Sequence, residues 1–163
     1  MNISEKIINK ELNWHSIVTS ALAFWISGSL LLDFVLIPSL SMGGMMNDGG
    51  FASAGYILFG IFNRLEIICA SLVVTVALAY YFQHRFNQRK QIFFLLFANL
   101  LFFIALAYTY VFTPHLSAWG LSFNEFTSAV EMPQAMISWH EGFWFLEGIK
   151  YLLMVNILRW SWE

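Results

Sequence analysis

The sequence predicts an all-α, polytopic membrane protein: an antiparallel bundle of four transmembrane helices with both termini cytoplasmic. Three observations carry this expectation. The 163 residues are 59% hydrophobic and only 11% charged, with a mean hydropathy of +0.66. That charged fraction is about half of what a water-facing surface needs. Four apolar runs are each long enough for the roughly 20 helical residues that cross a hydrocarbon layer about 30 Å thick. Finally, the basic residues all fall on alternate connections, apart from two placed inside apolar runs.

The first run, 14–38, reads WHSIVTSALAFWISGSLLLDFVLIP. It is too long for the apolar part of a signal peptide, and the acidic residues beside Lys6 and Lys10 weaken a basic leader, so it reads as a retained span. Ser16, Ser20, Ala23, Ser27 and Gly28 form a small-residue stripe, the pattern that lets helices approach closely. The second run covers 55–84, the third 92–112 and the fourth 135–160. In lipid a helix satisfies its own backbone groups, so each run is expected to be helical. Nothing suggests a repeat or a second domain, so 1–163 reads as a single membrane domain.

Orientation follows from the connections. Lys6 and Lys10 precede the first span, Arg85, Arg89 and Lys90 lie between the second and third, and Arg159 ends the fourth. The loops 39–54 and 113–134 contain no Lys or Arg. The positive-inside rule then places both termini in the cytoplasm. Trp14, Trp160 and Trp162 mark the inner interface, Trp119 and Trp139 the outer one.

Charges inside the spans are the candidate functional residues. Asp33, Arg64, Glu66, His115, His140 and Glu141 are expected to gather near the outer face. Arg64 is expected to pair with Asp33 or Glu66 and tie the first two helices together. Glu147 and Lys150 lie deeper. They are three residues apart on one helix surface, and suit either a structural ion pair or a proton or ion path. His140, Glu147 and Met154 follow at heptad steps, a polar stripe that should face the bundle.

Soft donors suggest a second chemistry. Met42, Met45 and Met46 crowd the first outer loop, and Met132, Met136 and His140 recur at four-residue spacing before the last span. Thioethers and imidazoles suit Cu(I), which makes Met42, Met45, Met46, Met136 and His140 a candidate copper site. The same methionines would serve as packing or as a docking surface. His115 with His140 would bracket a b-type haem between helices, and His15 with His84 form a comparable inner pair. Cys69 is the single cysteine, so an intramolecular disulfide is excluded. The net charge of −2 argues against nucleic acid as a partner. Zinc-protease, phosphate-loop and nucleophile-elbow patterns are missing, so no catalytic residue is assigned.

The stretches FWISGSLLLDFVLIPSL, AGYILFGIFNRLEIICA and MISWHEGFWFLEGIKYLL resemble the transmembrane protein 205-like family of small four-helix membrane proteins. That resemblance implies a helical bundle and no established chemistry. More distantly, the layout is similar to the copper resistance protein D family and to small haem-associated protoporphyrinogen oxidases, with His15, Trp25 and Gly28 at matching positions. The basic residue that those oxidases carry after the proline is replaced here by Ser39. The expected role is a non-enzymatic membrane subunit or assembly factor, in contact with lipid and other membrane proteins, in a bacterial inner or thylakoid-type membrane. The alternatives are copper handling and a haem b redox protein.

Overall fold

The computed structural model describes residues 13–44, 50–124 and 134–162. Among them the chain is helical throughout, without strands. Helix α1 covers Trp14–Leu30 and runs through a π-helical turn, Leu31–Leu36, into the short α2, Ile37–Met42. Helix α3 is Phe51–Phe82. Helix α4, Gln88–Ala107, leads through a second π turn, Tyr108–Phe112, into α5, Thr113–Asn124. Helix α6 is Gln134–Trp162. Three stretches, Trp14–Leu40, Ser53–Phe82 and Gln88–Ala118, are long and apolar enough to cross a membrane.

Local chemistry sets the helix ends. The Asn13 side chain accepts from Ser16 N–H and the Asn87 side chain from Lys90 N–H, so each N-terminus has a side-chain cap. At the end of α3, Arg85 N–H donates to the Tyr80 carbonyl and His84 N–H to that of Tyr81. This is a Schellman closure, with His84 in the left-handed position at φ 50°. Glycine usually holds that position because a Cβ is strained there. His84 is exposed and therefore expendable. His84→Gly is expected to stabilise the protein by about 1 kcal/mol, read as a raised thermal midpoint in detergent.

Ring contacts define two ends. His15 meets Trp162 edge-on at 5.1 Å, and Phe97 stacks on Trp160 at 5.2 Å. Gln91 folds back to donate to the carbonyls of Tyr80 and Tyr81. This is the terminal end. At the far end, Phe34 meets Trp144, and His115 stacks on Trp139. Helix α3 packs on α1, α4 and α5, and α6 packs on α1, α4 and α5. The terminal half of the interior is mainly apolar: Val18, Leu22, Val73, Ala98, Leu101, Met154 and Ile157 have no solvent exposure.

The small-residue stripe is not the packing face expected of it. Ser16, Ser20, Ala23 and Ser27 are exposed, and α1 buries Val18, Ala21, Leu22, Trp25 and Ser29 instead. The larger residues fill the space between helices, and the polar Trp25 and Ser29 find partners there. Only Gly28 marks a close approach: a Cβ at that position would stand 2.8 Å from the Phe62 ring.

Candidate functional site

Residues from three helices meet near the midpoints of α3 and α6 and the last turns of α1. Lys150 of α6 lies 2.7 Å from Glu66 Oε1 on α3 and 2.6 Å from Glu147 Oε1 on its own helix. Its Nζ also donates to Ser29 Oγ of α1 at 3.1 Å. Trp25 Nε1–H donates to the same Glu66 oxygen at 2.7 Å, and Ser29 Oγ–H lies 3.3 Å from it. Lys150 and Glu147 are each 1% exposed and Glu66 2%. The ammonium sits in an aromatic cage, with the rings of Tyr108, Tyr151 and Trp25 at 5.2, 5.6 and 6.0 Å. Ring faces attract a cation most strongly where water is absent.

Two oxygens remain open. Glu66 Oε2 and Glu147 Oε2 are buried without a hydrogen-bond partner among the described residues. Glu147 Oε1 is close to the ammonium but off the line of an N–H bond, so that contact is an ion pair without a hydrogen bond. Buried polar atoms are normally satisfied, and exceptions need a reason. A third carboxyl group is adjacent: Asp33, in the first π turn, accepts from the Tyr151 hydroxyl at 3.2 Å and neighbours Glu147. Three acids therefore face one base.

A cavity of about 10 Å³ opens beside these groups, room for about one water molecule. Its walls are Ser29, Leu32, Asp33, Phe59, Phe62, Asn63, Glu66, Tyr108, Phe143, Glu147 and Lys150. Asn63 is tied to Thr113 of α5 by a 2.6 Å hydrogen bond, which pins the cavity's far wall.

The π turns are what aim these side chains inward. Tyr108 and Thr113 are both buried although five residues apart. In an α-helix they would point about 140° apart. The Thr113 N–H bonds to the Tyr108 carbonyl, an i→i+5 step that returns both to the interior. The first π turn similarly places Leu32 and Asp33 inward, with Ile37 N–H bonded to the Leu32 carbonyl.

The sequence-based grouping of charges needs correction. Asp33 and Glu66 belong with Glu147 and Lys150, in one centre at mid-helix. Arg64 is not their counter-ion. It lies on the exposed face of α3, because two residues along a helix turn it about 200° from Glu66. Its expected place is taken by Lys150. The expected Glu147–Lys150 pair is present, and Glu66 completes it. Depth counted separately along each helix set Glu66 apart from Lys150, which the structure brings together. Of the stripe on α6, Glu147 and Met154 are buried, whereas His140 is exposed.

The soft-donor residues lie elsewhere. Met42 is 87% exposed at the end of α2. Met45, Met46, Met132 and the side chain of Met136 lie outside the described residues. His115 Nδ1–H donates to the Val111 carbonyl oxygen, 2.8 Å away, and the ring stacks on Trp139. His140 and Glu141 line a surface groove with Ile137 and Trp144. His15 packs on Trp162 while His84 closes the Schellman turn. Among the described residues no group of three His, Cys, Asp or Glu side chains is arranged to hold a metal. Cys69 is buried.

Sequence reasoning missed Trp25, Ser29, Tyr108 and Tyr151. A signal existed for the first two: they are four apart on α1, one and two turns before Asp33. Comparison with protein-family models, curated proteins and solved structures finds no match for this chain.

Proposed function

We propose that the protein is a non-enzymatic, multi-pass membrane protein that exchanges protons at the Asp33–Glu147–Lys150–Glu66 centre. It would act as a proton-linked carrier or as the proton-handling subunit of a larger membrane complex. One observation carries the reading: three buried carboxyl groups, Asp33, Glu66 and Glu147, gather around a single ammonium beside a cavity. In hydrocarbon such an excess of acid needs further positive charge, and a proton is the smallest source of it.

The reading includes α6 as a fourth span, which makes an antiparallel four-helix bundle. Its 29 residues extend about 43 Å, and its two central charges are turned inward rather than toward lipid. The terminal end carries Arg85, Arg89, Lys90 and Arg159, so both termini are assigned to the cytoplasm of an inner or thylakoid-type membrane. Exposed Phe24, Leu31, Phe34, Ile57, Ile61 and Ile68 supply the lipid-facing surface. The likeness to the transmembrane protein 205-like family agrees with the bundle and adds no chemistry.

Infrared difference spectra of the purified protein, taken between mildly acidic and mildly alkaline buffer, test the proposal. A protonated-carboxyl band that is diminished in Glu147→Gln and in Glu66→Gln is the expected result. A wild-type protein showing no pH-dependent carboxyl band would remove the basis for proton exchange.

A further inference from the structure

We infer that the buried centre communicates with one side of the membrane only, the side away from the termini, and that Asp33 is the relay residue. The inference rests on the proton-exchange reading and adds its direction and its first carrier.

The two halves of the interior differ in kind. Toward the terminal end, the next turns of every helix around Lys150 present Val18, Leu22, Val73, Leu101 and Met154, all without solvent exposure. Among the described residues the hydroxyls buried on that side, Thr19 Oγ1 and Tyr80 Oη, have no hydrogen-bond partner, so no hydrogen-bonded chain continues through them from Lys150. Toward the far end, the cavity beside Glu66 and Glu147 is walled by Asn63 and by the half-buried rings of Phe59, Phe62 and Phe143. Asp33 stands on that side. It is the most exposed of the three carboxyl residues, at 9%.

The groups facing Asp33 suit a relay. Tyr151, Glu147 and Lys150 face it from α6, Glu66 from α3 and Tyr108 from the second π turn. A proton arriving from the far side forms an O–H bond on an Asp33 carboxylate oxygen. That bond breaks as a new one forms on Glu147, directly or through one water in the cavity, and Asp33 is left as the carboxylate. No electron moves. Glu66 and Glu147 are linked through the ammonium they share, so the charge can settle on either. Tyr151 holds the Asp33 carboxyl in line by its hydroxyl hydrogen bond. Asp33 is a single helical turn beyond Ser29, and both belong to the same inward face.

Single-cysteine variants in a Cys69→Ala background, reconstituted in vesicles of determined orientation, test the inference. The probe is the membrane-impermeant 2-sulfonatoethyl methanethiosulfonate, with Met42→Cys as the exposed control. Asp33→Cys is expected to react with reagent supplied on the far side and not with reagent on the terminal side. Val73→Cys is expected to react from neither. Labelling of either position from the terminal side overturns one-sided access, as does an inert Asp33→Cys beside a reactive Met42→Cys. The relay is tested separately by the rate at which the infrared carboxyl band responds to a pH jump. Asp33→Asn, which keeps the shape, is expected to slow that response by about tenfold or more while leaving the Glu66 and Glu147 band in place. An unchanged rate overturns the relay. Loss of the band from wild type would defeat proton exchange itself, and the labelling pattern would still decide whether access is one-sided.

Discussion

Lys150→Met is expected to destabilise the protein by about 3–5 kcal/mol. Methionine fills nearly the same length of side chain, so packing is largely kept. What is lost is the positive charge against which Glu66 and Glu147 are buried, at 2.7 and 2.6 Å. The penalty comes mainly from the acids left behind, since an unpaired buried charge costs several kcal/mol. Neutralising those acids should therefore restore stability. The triple variant Lys150→Met, Glu66→Gln, Glu147→Gln is expected to recover most of the loss, whereas Arg64→Ala on the exposed face should stay within about 0.5 kcal/mol of wild type. Thermal or denaturant unfolding in one detergent measures all of them. A Lys150→Met protein as stable as wild type would show that the ammonium does not hold the acids.

Trp25→Phe is expected to cost about 1.5–3 kcal/mol through one hydrogen bond. The indole Nε1–H donates to Glu66 Oε1 at 2.7 Å, and the ring is 1% exposed. Phenylalanine keeps an aromatic wall beside Lys150 but cannot donate. Glu66 would then depend on Lys150 and Ser29 alone. Trp25→Ala adds a cavity to the lost bond and should cost about 3–5 kcal/mol. Glu66→Gln separates the two causes. In that background Trp25→Phe should cost clearly less, because the bond no longer ends on a charged acceptor. An unchanged cost would assign the whole effect to packing.

Much of the fold was legible because spans are a property of composition and length. The apolar runs at 14–38, 55–84 and 92–112 coincide with the three membrane-length helices, give or take their ends. The pairing of Glu147 with Lys150 was legible too, because residues three apart on a helix are neighbours whatever surrounds them. Pairing between helices was not. Which acid meets Lys150 depends on the stagger and rotation of α3 against α6, and one sequence contains neither. Depth alone offered Arg64 as the partner of Asp33 or Glu66, although an offset of two residues puts Arg64 and Glu66 on nearly opposite faces of one helix. The π turns left no mark in hydropathy, so the inward aim of Asp33 and Tyr108 could not be read. The small-residue stripe on α1 misled for a related reason: permission for close approach is not a force, and Trp25 and Ser29 offer hydrogen bonds where Ser20 and Ser27 face outward.

The second π turn also makes the chain sensitive to counting. Before it, the inward residues of α4 keep one phase: Phe94, Ala98, Leu101, Ala105 and Tyr108. After it, Thr113 begins another. A single-residue deletion between Tyr108 and Phe112 would leave hydropathy and span length nearly as they are, yet merge the two phases into one. Thr113 would swing away from Asn63, and every later side chain of α5 with it, by about 100°. In this protein the register of a helix, quite apart from the identity of its residues, is part of what sets a hydroxyl against the wall of a buried ionic centre.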